Sequence, residues 1–141
     1  MKILLASDEK TSLTESIQTY LTEKGHEVIV WGHLADESQK WRWADIGREA
    51  GEMVSTGDAD QAVILCWSGT GVCMAANKVE GIRAALCWDA ETASFARKWD
   101  DANDLCMSLR YTSETLATEM LDSWFSTNFD EEGLDQAHKV K

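Results

Sequence analysis

The chain contains no proline among its 141 residues, so its turns must rest on glycine, asparagine and aspartate. Basic residues are scarce. Thirteen Lys and Arg face twenty-five Asp and Glu, a net charge of −12. That surface repels nucleic acid and anionic membranes and excludes functions built on phosphate-backbone contacts. No apolar run approaches the roughly 20 residues of a membrane-spanning helix. The apolar start, Ile3 to Ala6, is too short for a secretory leader and reads as a first strand, so a cytoplasmic protein is expected. Repeats, low-complexity stretches and linkers are absent, and the length suits one domain spanning 1–141. Cys66, Cys73, Cys87 and Cys106 lack zinc-site spacing and read as free thiols. The three histidines, His26, His33 and His138, join no visible nucleophilic triad.

What is present is an alternation of strands and helices. Ile3–Ala6, Glu27–Trp31, Ala62–Cys66, Ile82–Cys87 and Leu105–Leu109 read as strands. The uninterrupted apolar run Ala62–Cys66 suits a strand buried on both faces. Leu13, Ile17 and Leu21 share a helical face, behind a Ser12/Glu15 spacing that resembles a capping box. Further helices are expected over 43–54, 72–78, 90–99 and 112–125. The polar tail, 128–141, is expected to dock on a neighbour or to be mobile. Strand–helix alternation of this length implies right-handed βαβ units and a parallel sheet.

Ligands in such sheets bind beyond the carboxyl ends of the strands. Three loops qualify: Ser7-Asp8-Glu9-Lys10, Cys66-Trp67-Ser68-Gly69-Thr70-Gly71, and Trp88-Asp89. The second carries most information. Its glycines let backbone approach a ligand, and the following helix aims N–H groups at an anion or enediolate oxygen. The same field favours a Cys66 thiolate. Asp8 reads either as a cap for the first helix or as a hydrogen-bond partner for sugar hydroxyls. Glu9 reads either as a proton carrier or as a solvated loop residue. Trp41, Trp43, Trp67, Trp88 and Trp99 sit near loops and helix starts, where indoles stack on sugars or fill subunit interfaces. A dinucleotide-binding loop does not fit, because Met74 stands where the third glycine belongs.

The segment Val63-Ile64-Leu65-Cys66-Trp67-Ser68-Gly69-Thr70-Gly71, with Ala75-Ala76-Asn77-Lys78 and Gly81-Ile82-Arg83-Ala84, resembles the family of ribose-5-phosphate isomerase B and the galactose-6-phosphate isomerase subunits. Met1–Asp8, Gly25-His26-Glu27-Val28, Asp101-Ala102-Asn103 and Leu121-Asp122-x-Trp124 extend the likeness along nearly the whole chain. The resemblance implies a three-layer, Rossmann-like α/β sandwich with a five-stranded parallel sheet. It implies an aldose–ketose isomerase of carbohydrate metabolism working through an enediolate, with no metal or organic cofactor. Cys66 falls on the base position and Ser68 on that of an assisting hydroxyl. Gly69, Thr70 and Gly71 form the oxyanion loop beside Trp67. Asp8 and Asn103 match sugar-binding positions, and Arg110 matches a phosphate-side arginine. A small sugar or sugar phosphate is the implied partner, in a homodimer or homotetramer with sites near the subunit interface.

Three family histidines are replaced, by Glu9, Trp88 and Trp99, and the arginine-rich tail is reduced to Gln136-Ala137-His138-Lys139. Two readings follow. One is an isomerase whose substrate needs no ring opening, with Glu9 taking part in proton transfer. The other is a non-catalytic, sugar-binding or regulatory relative.

Overall fold

A computed structural model describes residues 1–141. Five parallel strands form one sheet: β1 (Lys2–Ser7), β2 (Glu27–Gly32), β3 (Gln61–Cys66), β4 (Ala84–Leu86) and β5 (Asp104–Ser108), in the order β2-β1-β3-β5-β4. The helices are α1 (Ser12–Glu23), α2 (Trp43–Ser55), α3 (Thr70–Ala76), α4 (Ala90–Asp100), α5 (Glu114–Ser126) and α6 (Leu134–Ala137). Each central strand alternates between two apolar layers. Ile3, Leu5, Val63, Leu65, Leu105 and Met107 face α1, α4 and α5, whereas Leu4, Ala6, Ala62, Ile64 and Cys106 face α2 and α3. The fully buried Trp124 fills the first layer. The expected three-layer α/β sandwich is therefore the observed one. No helix is long and apolar enough to cross a membrane.

Local chemistry explains the differences from expectation. The first helix is capped by Thr11, which exchanges hydrogen bonds with Thr14, so the Ser12/Glu15 spacing is not the capping box. That also removes the capping role considered for Asp8. Helix α3 begins two residues earlier than expected, at Thr70, because Gly69 takes a left-handed conformation (φ 78°) and turns the chain directly into it. Strand β4 is short because the chain before it is held by side chains. Asn103 Oδ1 accepts from the Arg83 N–H at 2.8 Å, and Asn77 Oδ1 accepts from the Ala84 N–H at 2.8 Å. The tail does not trail away but folds onto its own chain. It forms a 3₁₀ turn (Glu131–Gly133) and then α6, buries Ala137, and places His138 Nε2 3.1 Å from Asp101 Oδ2.

Candidate active site

The chain runs from β1 outward to β2 and then crosses back to β3, so β1 and β3 are neighbours whose connections leave in opposite directions. That switch point opens a crevice at their carboxyl ends. Ser7 pairs in register with Leu65, so the next residues, Asp8 and Cys66, emerge side by side. Strand β5 secures the other edge of the loop. Leu109 N–H donates to the Cys66 carbonyl at 2.9 Å, Arg110 N–H to the Trp67 carbonyl at 3.0 Å, and Ser108 Oγ to the same Trp67 oxygen at 2.7 Å. The result is a cleft of about 310 Å³ lined by Asp8, Trp43, Cys66, Trp67, Ser68, Thr70, Gly71 and Met74.

Two glycines shape the cleft wall. A Cβ on Gly69 would stand 2.8 Å from the Met107 carbonyl carbon and 2.7 Å from Leu86 Cδ1, and one on Gly71 would stand 2.6 Å from the Trp43 ring. The ring of Trp43 therefore closes against bare backbone. Ser68 Oγ and Thr70 Oγ1 are 2.7 Å apart and form a hydroxyl pair on the loop. Cys66 retains 4% of its exposure, enough to border the cleft while its backbone belongs to the sheet.

Asp8 is the informative polar group. Its Oδ1 is buried without a hydrogen-bond partner. Burial, then the neighbouring Glu9 charge, raises its carboxyl above the ordinary range, opposed by a backbone hydrogen bond and by His33. An unpartnered carboxyl oxygen beside a thiol, in a cleft with hydroxyls, suits a ligand that brings its own hydroxyl donors.

The structure brings together Asp8, Cys66, Trp67, Ser68, Thr70 and Gly71, with Gly69 buried directly beneath them. It does not bring in the remaining expected residues. Glu9 is exposed and is not among the residues that line the cleft, although its charge acts on Asp8. Arg110 lies at the same sheet edge, but its guanidinium stacks 5.4 Å over the Tyr111 ring. Trp99 and Asn103 sit at the opposite end of the sheet. Trp99 stacks on Phe95 at 4.7 Å, while Asn103 braces β4 through Arg83 N–H and Gly81 O. Within one chain, neither reaches Cys66. Trp43 and Met74 join the cleft through the packing of α2 and α3, which no local motif announces.

The parallel sheet with a cleft at its switch point defines an α/β protein with a ligand-sized crevice where such sheets bind their ligands. The family model described as Ribose/Galactose Isomerase matches residues 3–141, and the chain belongs to that family. It is similar to ribose-5-P isomerase B of Listeria innocua, with 33% identity over 130 residues, covering 92% of this chain and 86% of the relative. It is similar also to a 4-deoxy-4-sulfo-D-erythrose isomerase of a Clostridium species, with 33% identity over 93% of this chain and 82% of the relative. Among solved structures, ribose-5-phosphate isomerase B of Clostridium thermocellum superimposes with a TM-score of 0.91 at 32% identity, covering 99% of this chain and 95% of that one. These relatives are named as isomerases, and the matches lend no support to the binding-only reading.

Proposed function

We propose that the chain interconverts an open-chain aldose and its ketose through an enediolate, with Cys66 as the base. The observation that carries this reading is the pairing of Cys66 with the unpartnered Asp8 carboxyl in one small cleft. The Cys66 thiolate removes the proton from C2 of the aldose and returns it to C1. The Ser68–Thr70 hydroxyl pair lies on the same loop, suited to passing the proton between O1 and O2. Backbone N–H groups of the 69–71 loop face the developing oxyanion. Asp8 accepts hydrogen bonds from the sugar hydroxyls.

The lining residues also speak to the substrate. None of the eight is His, Lys or Arg, so the cleft offers no imidazole to open a sugar ring. Tryptophan does not replace it as an acid or base near neutral pH. A four-carbon sugar substituted at C4 has no hydroxyl with which to close a furanose ring, and so needs no opening step. The cleft, at the small end of the roughly 300–1,000 Å³ typical of ligand sites, suits such a molecule. The similarity to an isomerase named for a C4-sulfonated erythrose points the same way.

A second copy of the chain completes this picture. Trp43, Trp67 and Met74 are exposed around the cleft and gain cover in a dimer. Trp99 and Asn103, remote in their own chain, reach a cleft only from another copy. Light scattering on the purified protein tests this: a homodimer or tetramer is expected, and a monomer at assay concentration would refute it.

The test of function is proton exchange in deuterated water followed by NMR, across C4-substituted tetroses, pentose 5-phosphates, hexose 6-phosphates and free sugars. Exchange at C1 or C2 is expected, fastest for the tetroses. Equal or faster exchange on the ring-forming sugars would overturn the substrate class and leave the isomerase. No exchange on any sugar would overturn the isomerase.

A further inference from the structure

The Asp8 carboxyl is held by almost nothing of its own. Its Oδ1 is buried without a partner, and the hydrogen bond that reaches the carboxyl comes from the Asp8 backbone itself. A buried carboxyl oxygen with no donor is better hydrated outside, so the chain on either side must impose its place in the cleft. On one side that chain is Ser7, the last residue of β1. It is wholly buried and is not among the residues that line the cleft.

Ser7 fixes the turn through both its side chain and its backbone. Ser7 Oγ donates to the Glu9 carbonyl at 2.6 Å and accepts the Glu9 N–H at 3.2 Å. Both backbone polar groups of Glu9 thus fold back on one hydroxyl, and Asp8 stands at the apex of the loop so closed. The Ser7 carbonyl in turn accepts the His33 N–H at 2.9 Å. Gly32, its partner in register, takes φ 72°, and a Cβ there would stand 2.4 Å from the Ser7 oxygen. Strand β2 closes this tightly because Gly32 is bare. On the other side of β1, Ser7 pairs with Leu65, which sets the turn against Cys66. Glu9 is exposed, so without the hydroxyl its backbone groups would bond to water. Loss of the hydroxyl therefore costs little stability. What it costs is the direction of Asp8.

We propose that Ser7 is a positioning residue, whose hydroxyl holds the 7–9 turn closed and so keeps the Asp8 carboxyl in the cleft beside Cys66. Ser7 acts only through Asp8. Its effect on turnover rests on the role proposed above for Asp8, as acceptor for the sugar hydroxyls, whereas its effect on where Asp8 lies does not. With the hydroxyl removed, Asp8 turns outward and the cleft loses its unpartnered acceptor, while Cys66 and the 68–71 loop, held by β3 and β5, stay in place.

Two measurements on Ser7→Ala test this. The first needs no activity. Protein carrying ¹³C at its aspartate carboxyls is titrated by NMR, with the Asp8 signal identified by its loss in Asp8→Asn. Burial and then the Glu9 charge raise the Asp8 carboxyl in the wild type, against its backbone hydrogen bond and His33. In Ser7→Ala the same signal should titrate at lower pH, nearer its ordinary value, with the urea midpoint close to that of the wild type. The second is the exchange assay. KM should rise about tenfold with kcat held within about threefold, because a hydrogen bond to a sugar hydroxyl serves the ground and transition states alike. Ser7→Ala added to Asp8→Asn should do no further harm, since the two act as one unit. An unmoved Asp8 titration, a double variant impaired by the product of the two single effects, or a collapsed urea midpoint in Ser7→Ala overturns the proposal. If the titration moves but the wild type exchanges no sugar, the isomerase reading falls and the placement of Asp8 by Ser7 stands. If the wild type exchanges and the titration is unmoved, the reverse holds.

Discussion

Asp104 gives the sharpest test of the physical reasoning. Its carboxyl, ordinarily near 3.8, is pushed up to about 8. Burial is the main cause and Cys73 adds to it, while Arg83 opposes it without forming a pair. In the unfolded chain the carboxyl ionises near its ordinary value. Between that value and about 8 the folded state holds a proton that the unfolded state has released. Stability therefore falls as pH rises through this window and levels off above it. From about pH 5 to about pH 8 the loss from this one group is about 3 to 4 kcal/mol, a large part of the stability of a domain this size. Asp104→Asn removes the ionisation. The amide introduces its own buried donors, at a cost of about 1 to 3 kcal/mol, so the pH slope and not the absolute stability is the readout. Urea unfolding at several pH values should show the steep decline in the wild type and a slope flatter by that amount in the variant. Parallel slopes in the two proteins would refute the account of Asp104 as a neutral, buried acid.

Other consequences are simpler to state. Cys66→Ala should lower substrate proton exchange by about 10²- to 10⁴-fold with unchanged circular dichroism, and full activity would dismiss the base assignment. Gly69→Ala should destabilise by about 3 kcal/mol, since a Cβ there meets the Met107 backbone at a positive φ, and a midpoint within error of wild type in urea would contradict that crowding. Glu9→Gln should let the Asp8 carboxyl ionise at lower pH, because the Glu9 charge helps to hold it up. The acid limb of the exchange profile should then move down in pH, and an unmoved limb would return Glu9 to the solvated surface.

The strand pattern was legible because β1, β3 and β5 are buried on both faces and so appear as short apolar runs between polar turns. The Cys66–Gly71 loop was legible because a thiol and two glycines at a strand end are local facts of the chain. Helix starts were less so. Thr11 and Ser12 are chemically near-equivalent caps, and only the path of the backbone chose between them. Trp99 and Asn103 show the limit of carrying site residues along a sequence. Helix α4 runs back against the strands and deposits both at the far end of the sheet.

By itself, then, the sequence determined the layered α/β architecture, the loop that bears Cys66 and the family to which the chain belongs. Each of these rests on short-range pattern: alternation, turn residues and contiguous motif. Only the tertiary structure decided which of those residues meet. It set Asp8 beside Cys66 through the β1–β3 register, closed the cleft with Trp43 and Met74 from separate helices, and folded the tail back onto Asp101. It also buried Asp104 with no partner, facing α3 beside Cys106. Those are contacts between residues far apart in the chain, and their energies depend on burial and packing that no local stretch of sequence contains.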